Sequence, residues 1–324
     1  MLISFIIPHK GREDLLSQTI ISIGQQSTPL TDIEVIIVTQ NRQLSHEMLP
    51  NTDGLTITIL HRPEHETISA LRNIGVTHAA GSYIGFLDAD VALSPNWVQE
   101  MLAELTSIPT RVLVSAVQNC PDNAPPLERI RTALSNASID CNVRFLPGRN
   151  LLLTKDTFHA SGGFPEHLIT CEDYYFTDKV HALGDLYYSS KATYIHLGED
   201  KVYREMFNKE IWRGQSNLQS IQGRPIPLSE FPSFLVPIWI LLFSIVTVIG
   251  LIALQPNIAT AGLLTTLLPV VIYSTRLYLI ARKEIPFNAI FLFYIIYFPA
   301  RIIGTLSGLF SELFKTSTKK PSAS

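Results

Sequence analysis

The sequence predicts an α/β domain built on a mainly parallel sheet, followed by a helical membrane region. Three observations carry this. Up to about residue 200, short β-branched runs alternate with segments of helical period. A proline-rich stretch, 223–233, then breaks the pattern. Beyond it, 45 consecutive positions between Glu230 and Arg276 carry no charge, against the roughly 20 apolar residues that a spanning helix needs.

Ile3 to Pro8 reads as the opening strand. It is too short, and lacks the basic start and small-residue cleavage site, to be a secretory signal. Asp14 to Gln26 reads as a helix with Leu15, Leu16, Ile20 and Ile23 on its apolar side, and Glu34 to Thr39 as a buried strand. Thr56 to Arg62 is the next strand, Thr67 to Ala79 the next helix, and Tyr83 to Leu87 a third buried strand. Ser94 and Pro95 offer an N-cap and first-turn proline for a helix to about Leu105. Ligands of open α/β sheets bind beyond the carboxyl ends of the strands, so Pro8, Thr39 and Asp88 point toward one crevice.

The expected organisation is a catalytic domain over 1–222, a linker over 223–233, a membrane region over 234–314 and a disordered basic tail over 315–324. Spans fit at about 234–254 and 258–280, separated by Gln255-Pro256-Asn257. A third stretch, about 287–310, is interrupted by Arg301, Gly304 and Gly308, and either spans or lies in the interface. Arg282 and Lys283, then Lys315, Lys319 and Lys320, flank the third stretch, whereas the Gln-Pro-Asn turn has no basic residue. By the positive-inside rule the turn is outside and the first domain cytoplasmic. A multi-pass inner or plasma membrane protein is the expected localisation.

Charge separates the two parts. Up to residue 223 there are 17 Lys/Arg against 25 Asp/Glu, and after it 8 against 3. An acidic first part argues against a nucleic-acid partner, while a basic, apolar second part suits membrane lipids. Cys120, Cys141 and Cys171 have neither an even count nor CxxC spacing, which argues against a disulfide framework or zinc site.

The chemistry concentrates in Tyr83-Ile-Gly-Phe-Leu-Asp88-Ala-Asp90. Ionised carboxylates cannot stay inside a buried strand, so they emerge at its end to meet a cation, a hydroxyl or water. Oxygen ligands on a tight turn suit Mg²⁺ or Mn²⁺ shared with nucleotide phosphates. An exposed acidic turn capping the next helix is the competing reading.

Ile3-Ser-Phe-Ile-Ile-Pro8, Arg12, Ile33-Glu-Val-Ile-Ile-Val38, Ala70-Leu-Arg72-Asn73-Ile-Gly75, Ala79-Ala-Gly81 and Phe86-Leu-Asp88-Ala-Asp90 follow one another in an order and spacing that resembles the family 2 glycosyltransferases. The resemblance continues through Gly162-Gly163-Phe164, Glu172-Asp173 and His196, over about the first 215 residues. It implies the GT-A fold, a Rossmann-like mixed sheet with helices on both faces, and an inverting, metal-dependent transfer from a nucleotide-diphosphate sugar. It places Pro8, Arg12, Arg72, Asn73, Asp88 and Ala89 at the donor. Asp90 and His196, with Asp88 close by, would hold Mn²⁺ or Mg²⁺. Asp173 would be the general base, and Glu172 would contact the acceptor. Trp212 and Arg213 are similar to a segment that closes over the diphosphate or acceptor, although an amphipathic helix on the membrane explains them equally well. A lone histidine such as His196 also has an ordinary structural reading.

The sequence departs from the family pattern at Val38-Thr39-Gln40-Asn41, where an aspartate that would meet the base is replaced by Gln40, whose amide both donates and accepts. Lys10-Gly11 replaces a more usual aromatic-Asn pair before Arg12. The reading these residues support is transfer of a sugar to a hydroxyl of a lipid-linked or surface-glycan acceptor. Two alternatives stand beside it: transfer to a polyprenyl phosphate, and a membrane protein that binds nucleotide or glycan without turnover.

Overall fold

The computed structural model describes residues 2–215, 231–281 and 284–317. It divides into two compact units, one comprising Met1–Asn123 and Ser135–Glu199, the other Ala124–Leu134 and Asp200–Ser324.

The first unit opens with β1 (Ile3–His9), α1 (Glu13–Gly24), β2 (Ile33–Thr39), β3 (Thr56–His61), α2 (Ile68–His78) and β4 (Tyr83–Leu87). β5 (Val91–Leu93), α3 (Trp97–Ser107) and β6 (Arg111–Asn119) follow. After α4 (Pro126–Ser135), which falls almost wholly in the second unit, come β7 (Cys141–Val143), β8 (Asn150–Thr154), α5 (Lys155–Ser161), α6 (Glu172–His181) and β9 (Asp185–His196). Among the described residues the sheet has nine strands in the order β3-β2-β1-β4-β8-β6-β9-β5, with β7 pairing β9. β3, β2, β1 and β4 run parallel, as the alternating sequence predicts. β8 enters antiparallel beside β4, which makes the sheet mixed.

Strand periodicity sorts the apolar residues of β1 onto two faces. Ile3, Phe5 and Ile7 pack with Leu16, Ile20 and Ile23 of α1 and Trp97 and Met101 of α3. Ile6 packs on the other side with Leu71 and Val76 of α2, Phe158 of α5 and Phe176 of α6. Helices therefore cover both faces, and neither face of the central strands is left to solvent. Gly81 approaches β1 so closely that a Cβ there would fall 2.9 Å from the Ser4 nitrogen.

The expected start of α3 moves. Asn96 precedes its first residue, Trp97, and Ser94 and Pro95 form a preceding turn closed by Trp97 N–H donating to the Ser94 carbonyl at 3.0 Å. The Ser94 hydroxyl instead bonds Asn96 Oδ1 at 2.8 Å, so it is not available as a cap.

The second unit contains α4, α7 (Tyr203–Gly214), α8 (Phe231–Ile252), α9 (Pro256–Ile280) and α10 (Phe287–Ser317). Among the described residues, three helices are long and apolar enough to cross a membrane, over Phe231–Ile252, Pro256–Ile280 and Phe287–Leu309. Glycines bring α8 and α9 together: a Cβ on Gly250 would lie 2.9 Å from Ala259 Cα. The compact division falls after Glu199, earlier than the proline-rich linker, because α7 packs with α10. Residues 223–230 of that linker, Arg282, Lys283 and residues 318–324 lie outside the described residues, while 315–317 of the expected disordered tail continue α10.

Candidate functional site

The site forms where the strands β1, β2, β4 and β9 end. Asp88 leaves β4, its amide donating to the Arg149 carbonyl at 3.1 Å, and Ala89 and Asp90 complete the turn into β5. Because β5 pairs antiparallel with the end of β9, Val91 lies opposite His196, and Leu197 N–H donates to the Asp90 carbonyl at 2.8 Å. That pairing sets Asp90 Oδ1 3.3 Å from His196 Nε2.

The other Asp90 oxygen meets Arg12 at 2.9 Å. Arg12 precedes α1 in the left-handed backbone region, with φ of 57°, next to Gly11 at 65°. A non-glycine residue held there stores modest strain. Behind the imidazole, His196 Nδ1 lies 3.0 Å from Glu199 Oε2 and 3.0 Å from Arg149. Burial opposes ionisation of Asp90, yet the His196 bond and the Arg12 and Arg149 charges hold its carboxyl below the usual carboxylate range. Burial likewise opposes the imidazolium, but bonds to Asp90 and Glu199 raise His196.

These residues fit a divalent cation in part. Two ligand atoms of one cation sit about 3 Å apart, as the Asp90 and His196 atoms do. Donation of Nδ1–H to Glu199 would turn the Nε2 lone pair toward Asp90, the usual carboxylate support of a ligating histidine. Gly198 keeps the place open, since a Cβ there would overlap the Asp90 carboxylate. Asp88 Oδ1 accepts from Arg72 at 2.9 Å. No group of three His, Cys, Asp or Glu side chains positioned to hold a metal occurs among the described residues, so solvent or phosphate oxygens would have to complete the shell.

Arg72 lies buried between Asp88 and Glu172. It is fully buried, donates to Asp88 at 2.9 Å and Glu172 at 3.0 Å, and lies 4.9 Å over the Phe164 ring. Asn73 beside it holds a loop: Nδ2 donates to the Phe164 carbonyl and Glu166, and Oδ1 accepts from Phe164 N–H, each at 2.9 Å. Glu172 and Asp173 form the first turn of α6, behind Cys171 at φ of 63°. Asp173 accepts from the amides of Gly148 at 3.2 Å and Tyr174 at 2.8 Å. Burial, with Asp173 adjacent, pushes the Glu172 carboxyl up to about 7 against the pull of Arg72.

Where β1 and β2 end, Pro8 lies opposite Val38, one residue short of the end of β1. Gln40 is buried and spends both amide hydrogens on backbone, donating to the carbonyls of Pro63 and Glu66 at 2.9 Å each. The expected donor to a base is thus committed to a loop, and only its oxygen is left to accept. Trp212 and Arg213 belong to the second unit, where Trp212 is half exposed on α7 and Arg213 pairs with Glu210 at 2.5 Å.

Sequence reasoning misses four participants. Gly148 donates to Asp173 and packs against Arg72, where a Cβ would meet the guanidinium at 3.0 Å. Arg149 and Glu199 support His196. His9 ends β1 buried, its Nδ1 2.9 Å from Thr39 Oγ1 and its Nε2 without a hydrogen-bond partner among the described residues, and burial lowers its pKa. Glycines beside candidate functional residues, in Pro147-Gly148-Arg149 and Leu197-Gly198-Glu199, are the signal that could have found the first three.

Residues 4–164 match the sequence profile of glycosyl transferase family 2. The chain carries a family 2 glycosyltransferase domain. It is 22% identical over 255 residues to Glycosyltransferase AglE of Haloferax volcanii, covering 74% of this chain and 80% of that protein. Over 110 residues it is 30% identical to Validoxylamine A glucosyltransferase of Streptomyces hygroscopicus subsp. jinggangensis, covering 32% of this chain and 25% of that one. In fold it is similar to the mannosyltransferase PcManGT of Pyrobaculum calidifontis, solved in complex with GDP-Man and Mn²⁺ (TM-score 0.58, 16% identity, 94% of this chain and 86% of that one). It is also similar to residues 1–349 of S. aureus TarS (TM-score 0.50, 14% identity, 99% and 93% covered). The mixed sheet with helices on both faces is the GT-A arrangement. The family 2 match contains Asp88, Asp90, Arg72 and Gly148, whereas Glu172, Asp173 and His196 lie beyond its end.

Proposed function

We propose that this glycosyltransferase moves a sugar, with inversion, from a nucleotide-diphosphate sugar to a hydroxyl of a lipid-linked or surface-glycan acceptor on the cytoplasmic side of a membrane. The observation that carries the reading is the Asp90–His196 pair at the end of β4, with Glu199 behind the ring. PcManGT, similar in fold, is described with GDP-Man and Mn²⁺, which supports a nucleotide-sugar donor and a divalent cation here.

Asp90 and His196 would hold Mn²⁺ or Mg²⁺, which when bound supplies positive charge to the leaving diphosphate. Arg12, already beside Asp90, adds a second cation to that side. Arg72 keeps Asp88 oriented at the donor and Glu172 at the acceptor. Asp173, fixed by the Gly148 and Tyr174 amides, takes the proton of the attacking hydroxyl. In-line displacement needs one carboxylate on the acceptor side and no protein nucleophile. Glu172 is the second reading for the base, favoured by a pKa of about 7, close to the working pH.

The test is transfer by membranes containing the protein, offered nucleotide sugars with Mn²⁺ or Mg²⁺, followed by the anomeric configuration of the product. Inversion is expected, with Asp173→Asn slowed by about 10²-fold or more. A retained anomer, or unchanged turnover in Asp173→Asn, contradicts the mechanism.

A further inference from the structure

The second unit encloses a cavity of about 220 Å³ among α8, α9 and α10, lined by Ser233, Tyr273, Arg276, Tyr297, Phe298 and Arg301. Two guanidiniums lining one cavity of largely apolar helices make it a favourable place for an anionic group.

Their depth follows from the helices they stand on. α7 carries Arg204, Glu205, Lys209, Glu210 and Arg213, too many charges for the hydrocarbon interior. α10 lies directly along it: a Cβ on Gly304 would fall 2.9 Å from Gly214 Cα, and Arg301 stands 3.6 Å from Glu210. The Arg301–Gly304 part of α10 therefore sits at headgroup level. Arg276 reaches the same level, about one turn before the end of α9 at Ile280. Ser233, near the start of α8, completes the ring. Glu210 is met more closely by Arg131 at 3.0 Å and Arg213 at 2.5 Å than by Arg301 at 3.6 Å.

We propose that this cavity seats the phosphate or diphosphate group of a lipid, with Arg276 and Arg301 on the phosphoryl oxygens and Ser233, Tyr273 and Tyr297 within the same enclosure. Two guanidiniums match a phosphate carrying two or more charges better than the single charge of a phosphodiester headgroup. The occupant is the lipid-linked acceptor, an assignment that rests on the glycosyl-transfer reading for the acceptor's role but not for its binding.

The test is native mass spectrometry of the purified full-length chain mixed with equal amounts of a polyprenyl diphosphate and phosphatidylglycerol. Selective retention of the polyprenyl diphosphate is expected, reduced about tenfold or more by Arg276→Gln and partly recovered by Arg276→Lys. Arg276 is chosen because Arg301 shares Glu210, and its loss would disturb the fold. Equal retention of phosphatidylglycerol, or retention unchanged by Arg276→Gln, overturns the proposal. Retention is read without turnover. Selective binding by a chain that consumes no nucleotide sugar would uphold the cavity and overturn the glycosyl-transfer reading.

Discussion

His196 Nε2 stands 3.3 Å from Asp90 Oδ1, although 105 residues separate them in the chain, because β5 and β9 pair antiparallel with Val91 opposite His196. Two ligand types that suit Mn²⁺ thereby meet at the end of the strand that also delivers Asp88.

The first prediction concerns that pair. His196→Ala and Glu199→Gln weaken Mn²⁺ binding, the first by about 10²-fold and the second by about 10-fold, as expected for a ligand and its supporting carboxylate. Titration of the purified chain followed by Mn²⁺ electron paramagnetic resonance measures both. Equal affinity in all three proteins removes the pair from the metal site.

Arg72 is the buried tie between Asp88 and Glu172. Arg72→Met leaves two carboxylates without their cation and is expected to lower stability by about 3–5 kcal/mol. Chemical unfolding of the detergent-solubilised chain measures this, and a loss below about 1 kcal/mol contradicts the role.

Glu172 makes stability depend on pH with a definite sign. Its folded pKa of about 7 lies above the 4.5 of an unperturbed glutamate. Between those values the folded chain keeps a proton that the unfolded chain has released, so Glu172 costs stability increasingly as pH rises through this window. Glu172→Gln removes the cost. Its melting temperature is expected to exceed that of the wild type at pH 8, with the gap closing at pH 5. A gap independent of pH contradicts the shift.

Gln40 staples the loop at Pro63 and Glu66. Gln40→Ala leaves two carbonyls without their donor and is expected to cost about 1–3 kcal/mol. The same substitution should raise KM for the nucleotide sugar by loosening the loop, with a smaller effect on kcat. Unchanged stability would return Gln40 to the base-contacting role that its sequence position suggests.

The parallel half of the sheet and its carboxylate-bearing turn are legible in the sequence because they depend on local signals. Hydrophobic period marks β1, β2, β4, α1 and α2, and a buried strand must shed Asp88 and Asp90 at its end. The antiparallel half is not, because the positions of β8 and β9 in the sheet depend on pairings distant in sequence. Arg149 and Gly148 acquire their partners only when β8 enters beside β4. Gln40 shows the same limit: its amide partners lie 23 and 26 residues away, and nothing local says that its donors are already spent. The assignment of α4 and α7 to the second unit rests on an apolar cluster they share with the long helices, and on the packing of α7 with α10, which their own short, polar sequences do not announce.

The most direct measurement is nucleotide-diphosphate release by the purified full-length chain offered a panel of nucleotide sugars and an acceptor-bearing lipid extract. Wild type should turn over at least one donor, stop when a chelator is added and resume with Mn²⁺ or Mg²⁺, while Asp90→Asn falls by about 10²-fold or more. Turnover that ignores the chelator, or an Asp90→Asn chain as active as the wild type, contradicts the account.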